Sequence, residues 1–185
     1  MTAARPRRFD PQRRQRIIDA ALAVIAEHGL AHTTHRLIAA RADVPLGSLT
    51  YHFTGLDDLC RQAFEQHASR LSEVYAAHFA RVSGHDGFVD AVTDLITGNA
   101  GADQDDWAVA LELYLAALRD PSLRELTQRW MEASRDTLQR FVSPGAAVGL
   151  DALVEGMVIH RLLGTDAPSG DHVRELVDRL CPSGE

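Results

Sequence analysis

The sequence has 185 residues, of which 45% are hydrophobic and 24% charged, a composition that excludes a largely disordered or fibrous chain. No apolar stretch reaches the ~18 residues needed to span a bilayer, because the longest, Trp107 to Leu118, is broken by Glu112, and no apolar signal core follows the arginine-rich start. A cytoplasmic protein without a membrane partner is therefore expected. The net charge of −7 is uneven: through residue 55 eight arginines outweigh four acids, whereas the rest of the chain carries 11 arginines against 22 acids. A basic front end on an acidic body points to a local surface for a polyanion.

In chain order, almost every segment reads as helix. Arg5, Arg7 and Arg8 form either a solvated tail or an arm reaching the minor groove or phosphates. Asp10 and Pro11 make an N-cap and first-turn pair, and Ile17, Ile18, Ala21, Leu22 and Ile25 then recur at helical spacing until Gly29 stops the run. Thr34 caps a short second helix, His35 to Ala42, which contains Arg36 and whose first amides face outward. A third helix is predicted from about Pro45 to Phe53, separated from the second by Asp43 and Val44 alone. A long helix follows from Leu56 to about Arg81. Others are predicted at about Asp86 to Asn99, Asp103 to Arg119, Ser122 to Val142, Gly145 to Leu163 and Asp171 to Leu180, with Gly, Pro, Ser and Asp at the joins. No run has the alternation and β-branched bias of a strand, so an all-α fold of about nine helices is expected.

Two short helices around a tight turn make a helix-turn-helix. Residues 13 to 60, with Ile17, Ala20, Ala21, Glu27, Gly29, Thr34, Ile38, Ala39, Ala42 and Val44, and above all Gly47-Ser48-Leu49-Thr50-Tyr51-His52-Phe53, resemble the DNA-binding domain of the tetracycline-repressor (TetR) family. The resemblance implies a DNA-binding domain over residues 1–55, a ligand-binding and dimerisation domain over 56–185, and a homodimeric repressor released from a palindromic operator by a small-molecule inducer. Thr34, Arg36, Pro45, Leu46, Gly47, Ser48, Thr50, Tyr51 and His52 are the predicted DNA-contacting residues. Leu49 and Phe53, four apart, are predicted to face inward. The chain departs from the family pattern where Asp43 replaces a glycine in the turn, Pro45 a capping hydroxyl, Thr50 a frequent tyrosine and Leu56 a frequent lysine. Asp tolerates the left-handed conformation such a turn requires better than most residues do.

No cofactor is implied. The nine histidines offer no pair at a reliable i, i+4 ligand spacing, Cys60 and Cys181 lie far apart, and neither a nucleophile elbow, a phosphate-cradling loop nor a His-Glu-x-x-His stretch occurs, so neither a metal centre nor an enzyme is expected. His67 and His78 read as solvated or cavity-lining. The alternative to an operator-binding regulator is a helical protein-interaction or architectural module whose basic front meets something else. For the inducer, a mainly apolar pocket lined by Phe88, Trp107, Leu111, Tyr114, Trp130 and Met131 is expected, although the aromatics equally suit plain core packing. Glu112, on an otherwise apolar helix, reaches solvent, pairs with an arginine such as Arg135, or faces the cavity and favours a cationic or hydrogen-bond-donating ligand. The implied dimer interface matches two apolar stripes, Leu150, Leu153, Val154, Met157, Val158, Arg161 and Leu162 on one helix and Val173, Leu176, Val177 and Leu180 on the last.

Overall fold

A computed structural model describes residues 10–164 and 169–181, and nine α-helices and one 3₁₀ turn, with no strand, make up the regular structure among them. The arginines Arg5, Arg7 and Arg8 lie outside the described residues. The chain divides into two units, Met1–Phe64 and Glu65–Glu185.

In the first unit α1 (Arg13–His28), α2 (His35–Arg41), α3 (Gly47–His52) and the start of α4 (Leu56–Phe79) enclose one apolar cluster. Ile17, Ile18, Ala21 and Val24 come from one face of α1, Ile38 from α2, Leu49 and Phe53 from α3 and its end, and Leu59 and Ala63 from α4. Helix α1 starts later than predicted. The Asp10 carboxylate accepts from the Gln12 amide at 3.0 Å in a local turn, and Arg13 opens the helix. Gly29, at φ 76°, ends it. Thr34 caps α2 as expected, its hydroxyl accepting from the Leu37 amide at 3.3 Å. At the other end of α2 the Val44 amide bonds to the Ala39 carbonyl at 3.0 Å and the Asp43 amide to Ala40 at 3.2 Å, the paired bonds of a Schellman motif. Asp43 sits at its left-handed position with φ 51°, alone among the described non-glycine residues in having positive φ. A short carboxylate side chain thus stands at the left-handed position where the family pattern has glycine.

The second unit contains the remainder of α4 with α5 (Gly84–Thr97), α6 (Gln104–Ala117), α7 (Pro121–Leu138), α8 (Pro144–Leu163) and α9 (Gly170–Leu180). The punctuation residues act as caps: Asp103 and Asp106 form a capping box on α6, while Asp120, Ser143 and Ser169 each accept a backbone amide in the first turn of α7, α8 and α9. Pro121 and Pro144 occupy first-turn positions where no amide is needed. The core centres on Phe79, Phe88 and Phe141, the last two stacked at 5.0 Å, with Val92, Ile96, Leu138, Leu150, Val158 and Val177 around them. Helix α7 ends at Leu138, short of the predicted Val142, because the next amides turn back three residues, Phe141 onto Leu138 at 2.9 Å. Both cysteines are buried, and burial pushes the Cys60 thiol up to about 11.

Candidate nucleic-acid interface and ligand cavity

The third helix is only six residues long and is held by what it buries. Leu49 and Phe53 are almost wholly buried, and the Arg14 guanidinium lies over the Phe53 ring at 5.5 Å. The opposite side is open to solvent. Tyr51 is 83% exposed and Leu46 48% exposed, and Thr34, Arg36, Pro45, Gly47 and Thr50 are exposed as well. His52 is half-buried, its ring edge-on to Tyr51 at 4.9 Å. The Thr50 hydroxyl donates to the Gly47 carbonyl at 3.2 Å and retains its lone pairs for an outside donor. Ser48 corrects the sequence reading: it is 9% exposed, so it does not share the outer surface with its neighbours Gly47 and Thr50. Ordinary van der Waals limits do not force glycine at 47, since a Cβ there would meet nothing within 4 Å.

The segment following α3 is pinned by Asp58. Its carboxylate accepts from the Thr54 amide at 3.0 Å, Gln62 Nε2 at 2.8 Å and Arg61 at 2.9 Å. The Gln62 and Thr54 hydrogen bonds hold the carboxyl down at about 2. A folded-state value below the unfolded ~3.9 means that the stabilisation is full above about pH 4 and is lost as the pH falls toward 2. A carbon-detected NMR titration should therefore show the Asp58 carboxyl still ionised at pH 3, and in Asp58→Asn the Thr54 amide should exchange faster with solvent at neutral pH.

A cavity open to solvent lies within the second unit. Trp107 and Tyr114 of α6 and Trp130 and Met131 of α7 line it, as the sequence predicts. Tyr114 stacks on Trp130 at 5.6 Å and 27°. The other predicted lining residues lie elsewhere. Phe88 is 2% exposed and packed between Phe79 and Phe141 in the core. Leu111 and Glu112 are half-buried and absent from the wall; Glu112 is two residues from Tyr114, roughly 200° around the helix. The acidic groups of the wall come instead from α8, Asp151 and Glu155. Arg135 pairs with Asp151, Nε to Oδ2 at 2.9 Å, and Ser134 donates to the other oxygen at 2.8 Å. The Tyr114 hydroxyl donates to Glu155. Burial raises the proton affinity of Glu155, and burial with the adjacent Glu155 charge raises that of the Tyr114 phenol. Sequence reasoning passed over both acids because they sit among apolar residues on a helix assigned to dimerisation; their i, i+4 spacing is the signal that finds them.

His78 lines the cavity and bonds to the Ala91 carbonyl at 2.9 Å. His67 neither lines it nor meets solvent: it is 2% exposed, with Nε2 3.0 Å from the Asp106 carbonyl, and desolvation lowers its proton affinity.

The apolar stripes predicted for the dimer divide. Leu150, Val154, Val158, Val173 and Val177 are buried in the core of their own chain, which takes them out of any intermolecular surface. Leu153 and Met157 pack partly buried against that core, Leu176 is half-buried and Leu180 is 52% exposed. Arg161 lies against the left-handed Gly98, where an added Cβ would come within 2.7 Å of its guanidinium. The opposite side of α8 carries a second stripe, Gly145, Val148, Gly149, Ala152, Gly156, Ile159 and Leu163, repeating at helical spacing. Val148, Ala152 and Leu163 are exposed, and a Cβ built on any of the three glycines meets nothing within 4 Å.

The chain matches two family profiles: "Bacterial regulatory proteins, tetR family" over residues 17–63 and "Tetracyclin repressor-like, C-terminal domain" over residues 83–183. The structure of SCO7518 from Streptomyces coelicolor A3(2) is 42% identical, covers 93% of this chain and 99% of its own, and superposes with a TM-score of 0.84. That of the multidrug binding protein EbrR complexed with ethidium is 39% identical over 92% of this chain and 99% of its own, with a TM-score of 0.77. Among curated proteins, the HTH-type transcriptional regulator BetI 1 of Chromohalobacter salexigens is 29% identical over 179 residues, 91% of this chain and 88% of that protein. No described helix is long and apolar enough to cross a membrane. With both profiles matched in order and the same fold in relatives of about 40% identity, the chain belongs to the tetR family of bacterial regulatory proteins.

Proposed function

We propose that the protein is a ligand-responsive transcriptional repressor that binds a palindromic operator as a homodimer and is released from it by a small molecule held in the second unit. Proteins of this family are DNA-binding transcriptional regulators rather than enzymes. The observation that carries the reading is the outer surface of α3, where Pro45, Leu46, Gly47, Thr50, Tyr51 and His52 stand together while Leu49 and Phe53 anchor the helix from within. Hydroxyl, phenol and imidazole groups on a short helix suit the wall of a major groove, with Thr34 and Arg36 placed for phosphates at the start of α2. EbrR holds ethidium, proflavin and malachite green in its complexes, which supports a small organic molecule as the occupant of the cavity. The exposed stripe on α8 supports the dimer, since glycine and alanine there let a second helix approach closely.

A mobility-shift titration on DNA flanking the gene tests the reading. Specific binding should weaken steeply with salt, and Tyr51→Ala should cost about 1–3 kcal/mol without loss of helicity. Unchanged affinity in both Tyr51→Ala and His52→Ala would remove α3 from the groove.

A further inference from the structure

The two carboxylates of the cavity wall are held in different ways. Asp151 is 5% exposed and fully engaged, by Ser134 at 2.8 Å on one oxygen and by the Arg135 guanidinium at 2.9 Å on the other. Glu155, one turn along α8, is met by a neutral donor, the Tyr114 hydroxyl. The phenol that holds it belongs to the ring stacked on Trp130, with Trp107 on the same wall. A flat π surface thus lies beside a carboxylate whose hydrogen-bond partner brings no positive charge.

We propose that Glu155 is the counter-charge for a flat organic cation in this cavity. The inference rests on the reading of the cavity as the ligand site. A positive charge leaving water for an apolar cleft needs an opposite charge and a polarisable face, and Glu155 with Tyr114 and Trp130 offers both. Below the Glu155 titration the cation replaces a proton: the O–H bond of Glu155 breaks, its proton passes to water, and the charge of the cavity is unchanged. The Tyr114 hydroxyl donates to the carboxylate so formed. Asp151 is unsuited to the role, because Arg135 already neutralises it. The charged and titratable groups that act on Glu155 are Tyr75 from α4, Tyr114 from α6, Arg135 from α7 and Asp151 on α8 itself, and His78 from α4 and Ser134 from α7 line the same cavity. Of their effects, desolvation raises the proton affinity of Glu155 most, Tyr114 lowers it, Asp151 raises it and Arg135 lowers it.

Ethidium is a suitable probe, since its charge does not titrate near neutrality, and acridone is a flat neutral control. Quenching of Trp107 and Trp130 reports binding of either. Ethidium affinity in the native protein should rise with pH, by up to about tenfold per unit below the Glu155 titration, as one proton is released for each cation bound. Glu155→Gln should lose at least tenfold in ethidium affinity at pH 8 and lose the pH slope, yet bind acridone like the native protein. His78→Gln should keep the slope. A slope or an ethidium affinity unchanged in Glu155→Gln overturns the inference, as does a native protein that binds acridone but not ethidium. A native protein that binds neither overturns the cavity reading itself.

Discussion

Ala152→Glu should convert the protein to monomers and abolish operator retardation at the same time. Ala152 stands midway along the exposed stripe of α8, between Val148 and Gly149 on one side and Gly156 and Ile159 on the other. In a two-fold interface this stripe meets its own copy, so one substitution places two carboxylates against apolar surface and against each other. Within a single chain the site is exposed, and glutamate is a good helix former, so the fold should persist. Light scattering, circular dichroism and a mobility shift on one preparation check all three expectations. Loss of DNA binding with loss of the dimer follows from geometry: a lone half-site keeps one set of groove contacts and half the phosphate contacts. A variant that remains dimeric would move the interface off this face of α8.

The position of that stripe also marks where the sequence could be read and where it could not. Helix existence was legible throughout, because the apolar period and the caps agree: Thr34, Asp103, Asp120, Ser143 and Ser169 each stand where a helix begins and each accepts a first-turn amide. The turn of the helix-turn-helix was legible as well, since Asp43 tolerates the left-handed conformation that it adopts. Facing was harder. Helix α8 is apolar on two opposite sides, and periodicity alone does not say which side a protein buries in itself. The bulkier side, Leu150, Val154 and Val158, fills the core, and the side rich in glycine and alanine is left outside. The cavity shows the same limit. Its aromatics Trp107, Tyr114 and Trp130 were visible as candidates, but Phe88 was equally aromatic and went to the core, because three phenylalanines there pack against one another. The acid of the wall was sought on the cavity's own aromatic helix, at Glu112, whereas it is supplied across the bundle by α8, at Glu155. Contacts between helices distant in sequence leave no mark in a local pattern. Ser48 was misplaced for a smaller reason: on a helix of six residues one step of about 100° separates the outer surface from the core.

Arg135→Ala should destabilise the second unit about as much as truncating one of its buried leucines. Asp151 is buried, and removing the guanidinium leaves its charge facing the half-buried Glu155 across one helical turn with the Ser134 hydroxyl as remaining support. Breaking a buried pair from one side costs ~3–5 kcal/mol, and about 3 is expected here because Arg135 itself is a third exposed. For a domain of this size that corresponds to a fall in Tm of roughly 6–12 °C. Both tryptophans, Trp107 and Trp130, belong to the second unit, so their emission during urea unfolding reports this unit and not the DNA-binding one. The cost should come from the stranded carboxylate rather than from the lost attraction. Arg135→Met combined with Asp151→Leu removes both charges, keeps most of the packing volume, and should therefore recover most of the loss, since well-packed apolar pairs commonly equal the ion pairs they replace. If Arg135→Ala unfolds at the native urea midpoint, the pair carries no weight in the fold. If the double variant is no more stable than Arg135→Ala, the deficit lies in packing of the arginine stem along α7 and not in the buried charge.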